Sequence, residues 1–356
     1  MKSLGNFPDP FIAEISGQPD AIRRAADGLA GQHHALERPA AIGRDRTLVF
    51  TGMGSSYDAC YPAVNALAAA AVPAIHVDAS ELLHFRTNLL PGAGLLVTVS
   101  QSGESAEVVR LIEGLAESDR GPLVLAVTNG TDNTLARLAD VVLDTRAGGE
   151  VGPSTMTFVA ALVVLAAAGR VLRGDPASDA IDEVRRGAES AATSLEHLLS
   201  QTALPDELAT WLGDRSNSVI LGRGPARAAA EMGALTLKEA VGMPIESLQT
   251  AQFRHGPLEL GGPDLAAMVI ATEPETRDLD VGLTGELVAL GASAVVVVEE
   301  GDVPEGVMRI DIGAQDRMLA PAVSVLPAQL LAWKLAVQLG RPPGSYVRAS
   351  KVTTRE

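Results

Sequence analysis

The sequence predicts an α/β protein: two tandem three-layer αβα domains with mainly parallel sheets, preceded by a helical arm and followed by a short tail. Three observations lead there. Short, continuously apolar, β-branched runs alternate with longer helical patterns, which suits parallel sheets covered on both faces. A strand–loop–helix block recurs in the second half of the chain. The length of 356 residues, 47% hydrophobic and 20% charged, accommodates two cores at about 150 residues per domain. The same composition excludes a disordered, collagenous or disulfide-scaffold chain.

Strands are expected near 46–51 (RTLVFT), 73–78 (PAIHVD), 94–100 (GLLVTVS), 122–128 (PLVLAVT) and 140–144 (DVVLD), with helices near 56–70, 104–118 and 132–138. In the second half, SNSVILGRGPA at 216–226 overlays RTLVFTGMGSS at 46–56, an offset of 170. AMVIATEPETR at 267–277 overlays LLVTVSQSGES at 95–105, an offset of 172. Strands follow near 293–298 and 306–310, then a long helix over 318–339. Between the halves, 154–173 and 177–201 read as helices separated by the break at Asp175-Pro176. The expected domains are an arm over 1–45, a first domain with linking helices over 46–200, a second over 205–340, and a tail over 341–356.

Charge narrows the function. The net charge of −16 opposes counterion-driven binding to nucleic acid or to an anionic membrane, so neither is expected as a partner. Two Trp, three Tyr and six Phe offer little for base stacking. An anionic ligand must therefore be held by a local site against the overall field. The single cysteine, Cys60, lies in an Ala-rich helical run and reads as a buried, inert thiol. No signal-like segment is apparent, and the longest apolar helix, at 158–169, falls short of the ~20 residues that cross a bilayer. The expected location is the cytoplasm. Of the 28 cations only Lys2, Lys238, Lys334 and Lys351 are lysines, and lysine, unlike arginine, can lose its proton in a suitable environment.

In open parallel sheets ligands bind beyond the carboxyl ends of the strands. Two hydroxyl-rich loops are expected there: Gly52-Met53-Gly54-Ser55-Ser56, and Ser100-Gln101-Ser102-Gly103-Glu104-Ser105. Hydroxyls, a glycine that lets backbone approach, and free amides at a helix start suit a phosphate dianion. Each cluster alone also reads as a turn and helix cap. The matching second-half loops, GRGPA and TEPET, lack the hydroxyl cluster, so folding alone does not demand those serines. One phosphate site, in the first half, is expected.

Three further groups stand out by type. Glu239 follows Lys238 near the end of an amphipathic helix, His255 sits in the Arg254-His255-Gly256-Pro257 turn, and Lys351 lies in the tail. By spacing alone they read equally as a solvated helix carboxylate, a turn-stabilising histidine and a tail lysine. No metal and no cofactor is expected: HxxxH, CxxC, GxGxxG, the P-loop and the GxSxG elbow are all missing.

Taken together, GMGSSY, SQSGES, GGEVGPST, LGRG, LKE, RHGP and the tail ASKVT resemble the sugar isomerase (SIS) family. Their order is similar to that of its two-domain branch, which includes the isomerase half of glutamine–fructose-6-phosphate aminotransferase and SIS-type glucosamine-6-phosphate deaminases. The resemblance implies two SIS domains acting as a homodimer on a sugar phosphate. Ser55, Ser56, Ser100, Gln101, Ser102 and Ser105 would grip the phosphate and sugar. Glu239 would be the base that moves a proton between C1 and C2 of the open-chain sugar. His255 would open the ring, reaching in from the neighbouring subunit, and Lys351 would contact or condense with the carbonyl.

Some positions depart from that pattern. Thr236 and Met156 stand where lysines are expected, the loop at Pro153 is one residue shorter, and Gln252 replaces a common carboxylate before the HGP turn. No glutaminase domain is seen before the arm, so glutamine-dependent synthesis is not expected. The expected reaction converts an amino-sugar phosphate, such as glucosamine 6-phosphate, to fructose 6-phosphate and ammonia. A fructosamine-6-phosphate deglycase, a plain sugar-phosphate isomerase and a non-catalytic sugar-phosphate sensor are the alternatives.

Overall fold

The computed structural model describes residues 9–42, 45–116, 121–348 and 350–356. Parts of the expected arm (1–8 and 43–44), the end of the expected helix over 104–118, and Ala349 of the tail motif lie outside the described residues. The chain divides into two compact units. The first-sheet unit comprises Asp20–Gly149, Met156–Glu189 and Arg348–Glu356; the second-sheet unit comprises Met1–Pro19, Glu150–Thr155 and Ser190–Val347.

The first sheet contains β1 (Thr47–Thr51), β2 (Ala74–His76), β3 (Ala93–Val99), β4 (Leu123–Thr128) and β5 (Val141–Asp144) in the order β2-β1-β3-β4-β5. Every pairing is parallel. Val49, Leu96 and Ala126 turn one way into a core with Val108, Leu111 and Ile112 of the helix Ala106–Ala116. Phe50, Val97 and Val127, on the opposite face by the two-residue alternation of a strand, are also fully buried. Burial on both faces is why these strands are unbroken apolar runs. Each buried Val, Leu, Ile or Phe side chain among them contributes about 1.5–3 kcal/mol by leaving water.

The second sheet contains β6 (Asn217–Gly222), β7 (Glu246–Gln249), β8 (Leu265–Ile270), β9 (Ser293–Val298) and β10 (Met308–Asp311). Its order is β10-β9-β8-β6-β7, again all parallel. Read from the other edge, this is the topology of the first sheet repeated. β7 was not expected, because its sequence, ESLQ, carries no apolar run. It is an edge strand paired only with β6 and partly exposed, so nothing selects for one.

The repeat corrects one register. Val49 pairs with Leu96 in the first sheet, and Val219 pairs with Ala267 in the second. With Val49 equivalent to Val219, Leu96 corresponds to Ala267, an offset of 171 rather than 172. The distinction matters because a one-residue slip turns every side chain to the other face. The turn bonds agree: Ser100 N donates to Val127 O, and Ala271 N donates to Val297 O.

Two expected helices are broken. The helix over 56–70 is two pieces, Ser55–Asp58 and Tyr61–Ala69, and 318–339 contains Ala320–Ser324 and Leu326–Gln338. Pro62 and Pro327 each lack the amide that would continue the ladder. Cys60 falls at the first break, fully buried, and its thiol is pushed far up by that burial. The stretches Met156–Arg173 and Ala320–Gln338 are long and apolar enough to cross a membrane. The first matches the helix expected over 154–173, but its apolar stretch is longer than the 158–169 read from the sequence. Yet 89% and 78% of these windows are buried inside the structure, the pattern of core helices.

Candidate functional site

In the first sheet the chain leaves β1 toward β2 and then crosses to β3 on the other side of β1. The carboxyl ends of β1 and β3 thus form the point where strand order reverses, and loops diverging there leave a crevice. The loops 52–56 and 100–105 both emerge at it. Gly52 is required by their closeness: a Cβ there would lie 2.9 Å from Val99 O and 3.0 Å from the Ser56 carbonyl carbon. Ser55 and Ser56 start the helix Ser55–Asp58 and are half-buried.

The second loop is folded by its own hydroxyls. Ser100 is buried; its Oγ accepts from Gly103 N at 3.1 Å and lies 3.0 Å from Ser105 Oγ. Ser102 Oγ accepts from Glu104 N at 3.1 Å. Gly103 has φ +66° and packs so closely on Asn133 that a Cβ would meet its Oδ1 at 1.9 Å. Two bonds tie the loop to the start of the neighbouring helix: Leu135 N donates to Gly103 O at 2.9 Å, and Thr134 N to Glu104 Oε1 at 2.8 Å. The Thr134 amide holds the Glu104 carboxyl below its usual range.

A recess at this edge encloses about 270 Å³ of non-atom space, part of it open to solvent. Ser55, Ser56 and Gln101 line it, as do Thr128, Thr145 and Thr157; Val99, Val127, Phe158 and Ala161 form its apolar floor. Ser100, Ser102 and Ser105 shape the adjoining loop and do not line the recess. The three threonines were not singled out from the sequence. Thr128 and Thr145 stand at the carboxyl ends of β4 and β5, and hydroxyls at such ends are the signal that could have found them.

The tail joins this unit. Ala106 N, the first amide of the helix that follows Ser105, donates to Thr353 O at 3.1 Å. Glu356 makes an ion pair with Arg110 of that helix and a hydrogen bond with His84. Lys351, two residues before Thr353, is half-buried. The loop residues and the tail lysine therefore belong to one unit.

Glu239 and His255 are carried by the second-sheet unit. Glu239 is half-buried on the helix Arg227–Val241, which Gly242 ends at φ +66°. Thr236, one turn earlier, is fully buried and its Oγ1 donates to Met232 O at 2.9 Å. Tyr346 is pushed well above the usual phenol range, first by burial and then by the charges of Glu239, Glu150 and Glu14. Its hydroxyl donates to Gly152 O at 3.3 Å. Glu14 accepts from Val151 N at 2.5 Å and Gly152 N at 3.1 Å, and Glu150 accepts from Thr155 N at 2.8 Å. Glu239 thus stands in the company of the EVGPST loop, whose amides are fastened by two further carboxylates.

His255 is exposed in the turn after the helix Thr250–Phe253. Phe253, fully buried, anchors one flank, and Arg254 grips Glu286 through two bonds of 2.7 and 2.8 Å. That bidentate pair holds Glu286 low and Arg254 high. Gly256, at φ +123°, closes the turn in a conformation that side chains rarely adopt. Gln252 is exposed and holds no charge beside the histidine. Among the described residues no group of three or more His, Cys, Asp or Glu is placed to hold a metal ion.

Comparison with known proteins bears on the whole chain. The model of the SIS domain family matches residues 42–169 and 212–339, two segments beginning 170 residues apart, as the β1/β6 repeat does. Glutamine–fructose-6-phosphate aminotransferase (isomerizing) of Pyrobaculum aerophilum is 31% identical over 365 residues, covering 100% of this chain and 59% of that protein. Its counterpart from Thermus thermophilus is 31% identical over 370 residues, covering 99% and 60%. The chain thus spans about three-fifths of the length of these curated relatives. Among solved structures, the C-terminal domain of glucosamine-fructose-6-phosphate aminotransferase from Francisella tularensis is similar, with TM-score 0.80 and 24% identity, covering 96% of this chain and 98% of that one. Glucosamine-6-phosphate deaminase from Thermotoga maritima gives TM-score 0.72 at 20% identity, covering 96% and 99%. These two likenesses show the fold. Repeated sheets, matching segments and full-length similarity to the isomerase portion of the aminotransferase agree: the chain belongs to the SIS-domain family, with two SIS domains in tandem.

Proposed function

We propose that this protein is a phosphosugar isomerase/deaminase that converts glucosamine 6-phosphate and water to fructose 6-phosphate and ammonia. The observation that carries the reading is the hydroxyl-lined recess where strand order reverses in the first sheet. Six hydroxyl or amide side chains line that space, and such a polar lining suits a phosphate in a chain whose net charge repels anions. The relatives matched over the full chain are named for aminating fructose 6-phosphate. The reverse change at C2 releases ammonia and needs only water as co-reactant.

In this reading the first domain, 46–200, holds the phosphate in the recess through Ser55, Ser56 and Gln101, with Ser102 reaching it from the adjoining loop that Ser100 and Ser105 shape. His255 moves the proton that opens the ring. Glu239 takes the C2 proton and returns it to C1, leaving an imine at C2; water hydrolyses the imine to the ketone and ammonia. Lys351 holds the carbonyl end of the open-chain sugar while the proton moves. The protein acts as a homodimer, with His255 supplied across the interface.

Thr236 favours a second reading. It is buried and bonded to its own helix, so the position expected to carry a lysine carries no cation. A changed sugar-side environment suits a deglycase of fructosamine 6-phosphate or a plain isomerase. Purified protein should be given glucosamine 6-phosphate while ammonia and fructose 6-phosphate are followed together. Both products appearing at equal rates, and vanishing in Glu239→Gln, is the expected result. No ammonia, with thermal protection by the same sugar phosphate, would replace the deaminase by a deglycase, a plain isomerase or a sensor.

A further inference from the structure

The two sheets share a topology, so the reversal point of the second sheet can be compared with that of the first, residue by residue. Both begin with a glycine forced by close packing. Gly52 approaches the Ser56 backbone, and a Cβ on Gly222 would lie 2.8 Å from Ala226 O and 3.0 Å from its carbonyl carbon. Offsets of 170 for this loop and 171 for the next pair Ser56 with Ala226, Gln101 with Thr272, and Ser102 with Glu273. Helix starts confirm the second offset, since Ala106 and Arg277 open equivalent helices.

The position of Ser102 is therefore taken by a carboxylate. Glu273 is only 4% exposed. Its Oε2 accepts from Arg317 Nε and a terminal guanidinium nitrogen at 3.2 and 2.8 Å. Oε1 is buried without a completed hydrogen bond, and the Ala226 amide faces the carboxylate. Arg317 also binds Glu275 through two bonds of 2.8 Å. A loop amide, an arginine and a close-packed glycine turn form the kind of cradle that takes an oxyanion, and here the anion belongs to the chain.

We propose that the second SIS domain keeps an anion cradle filled by its own Glu273, which restricts the protein to one phosphate-bearing ligand per chain. The carboxylate mimics the ligand in charge and position, and Arg317 neutralises it. The proposal rests on the phosphate reading of the first domain for its comparison, yet it can be tested apart from it.

The probe is inorganic phosphate, with bound equivalents per chain counted by equilibrium dialysis. Glu273→Ser restores the residue type of the first-domain loop and makes room for a ligand. It should bind one equivalent more than the wild type, on the order of tenfold tighter than any binding the wild type shows beyond its first equivalent. Ser102→Ala on that background should leave the new equivalent in place, and Arg317→Ala should remove it. A folded Glu273→Ser protein whose isotherm superimposes on the wild type overturns the proposal. If Glu273→Ser fails to fold, Glu273→Ala serves: it vacates the cradle and removes the charge, and unchanged phosphate binding in it would equally overturn the proposal. A wild type that binds no phosphate while Glu273→Ser binds one would sink the first-domain reading and leave this one standing.

Discussion

The Thr353 carbonyl accepts the Ala106 amide at 3.1 Å, so the tail caps the helix that begins at the end of the SQSGES loop. Three residues on, Glu356 pairs with Arg110 and His84. The tail is thereby fastened at two points around the element that presents the loop. Exposed pairs of this kind contribute about 0.2–1 kcal/mol each. Glu356→Gln should raise KM for the sugar phosphate up to about fivefold and speed amide exchange at 352–354. Removing 348–356 should abolish turnover and leave the cooperative melt intact; full activity after that deletion would take Lys351 out of the mechanism.

Ser100 and Ser102 should separate on mutation. Ser100 is buried, and its hydroxyl receives the Gly103 amide; Ser100→Ala leaves that amide only its 3.2 Å bond to Ser100 O and should destabilise by about 0.5–1.5 kcal/mol. Ser102 is half-buried beside the recess. Ser102→Ala should change the melt little and weaken sugar-phosphate binding on the order of tenfold. Denaturant titration and KM, measured on both variants, check the contrast.

Gly103 admits no side chain. Its φ of +66° and the 1.9 Å approach to Asn133 Oδ1 act together. Gly103→Ala should destabilise by about 2–4 kcal/mol, from left-handed strain plus overpacking. Chemical denaturation measures it. Gly130→Ala, at φ +90° with open space around its Cβ, should show only the strain, about 1–2 kcal/mol.

Glu299 has its pKa raised to about 7, chiefly by burial, with Glu273 and Glu300 adding to the rise and the Gln315 backbone and Arg277 opposing it. The folded protein therefore holds a proton that the unfolded chain has released above its ordinary pKa of 4.5. With more protons on the native state, stability falls as pH rises from about 4.5 to about 7. Glu299→Gln should flatten that decline and stabilise the protein at pH 8 by on the order of 1 kcal/mol, after allowance for screening. Melting temperatures from pH 4.5 to pH 8 test the sign.

Subunit mixing tests the shared site. Glu239→Gln and His255→Ala chains, each inactive alone, should regain about a quarter of wild-type activity when allowed to exchange. Half of the dimers would be mixed, and each would have one intact site of two. No recovery in dimers shown to have exchanged would place both groups of a site on one chain.

Much of the site's outline was legible in the chain itself. The SQSGES loop, the HGP turn and the LKE helix are local arrangements, and their side chains shape turns and caps within a few residues. Thr128, Thr145 and Thr157 were not legible, because they approach Ser55 and Gln101 only when the strands align. Glu273 was read as part of a loop that had lost its hydroxyls. Its burial against Arg317, 44 residues away, gives that loop an anion of its own.

The sequence by itself determined the repeated α/β plan, the central strands β1, β3, β4, β6, β8 and β9, and the edge strands β2, β5 and β10. Burial on both faces demands continuous apolar runs, and such runs are visible without any neighbour. Only the tertiary structure decided the edge strand β7, the true offset of 171, and which hydroxyls line the recess. The partly exposed ESLQ of β7 carries no apolar pattern, register depends on the partner strand, and a pocket at strand ends is assembled from residues that only a folded sheet brings side by side.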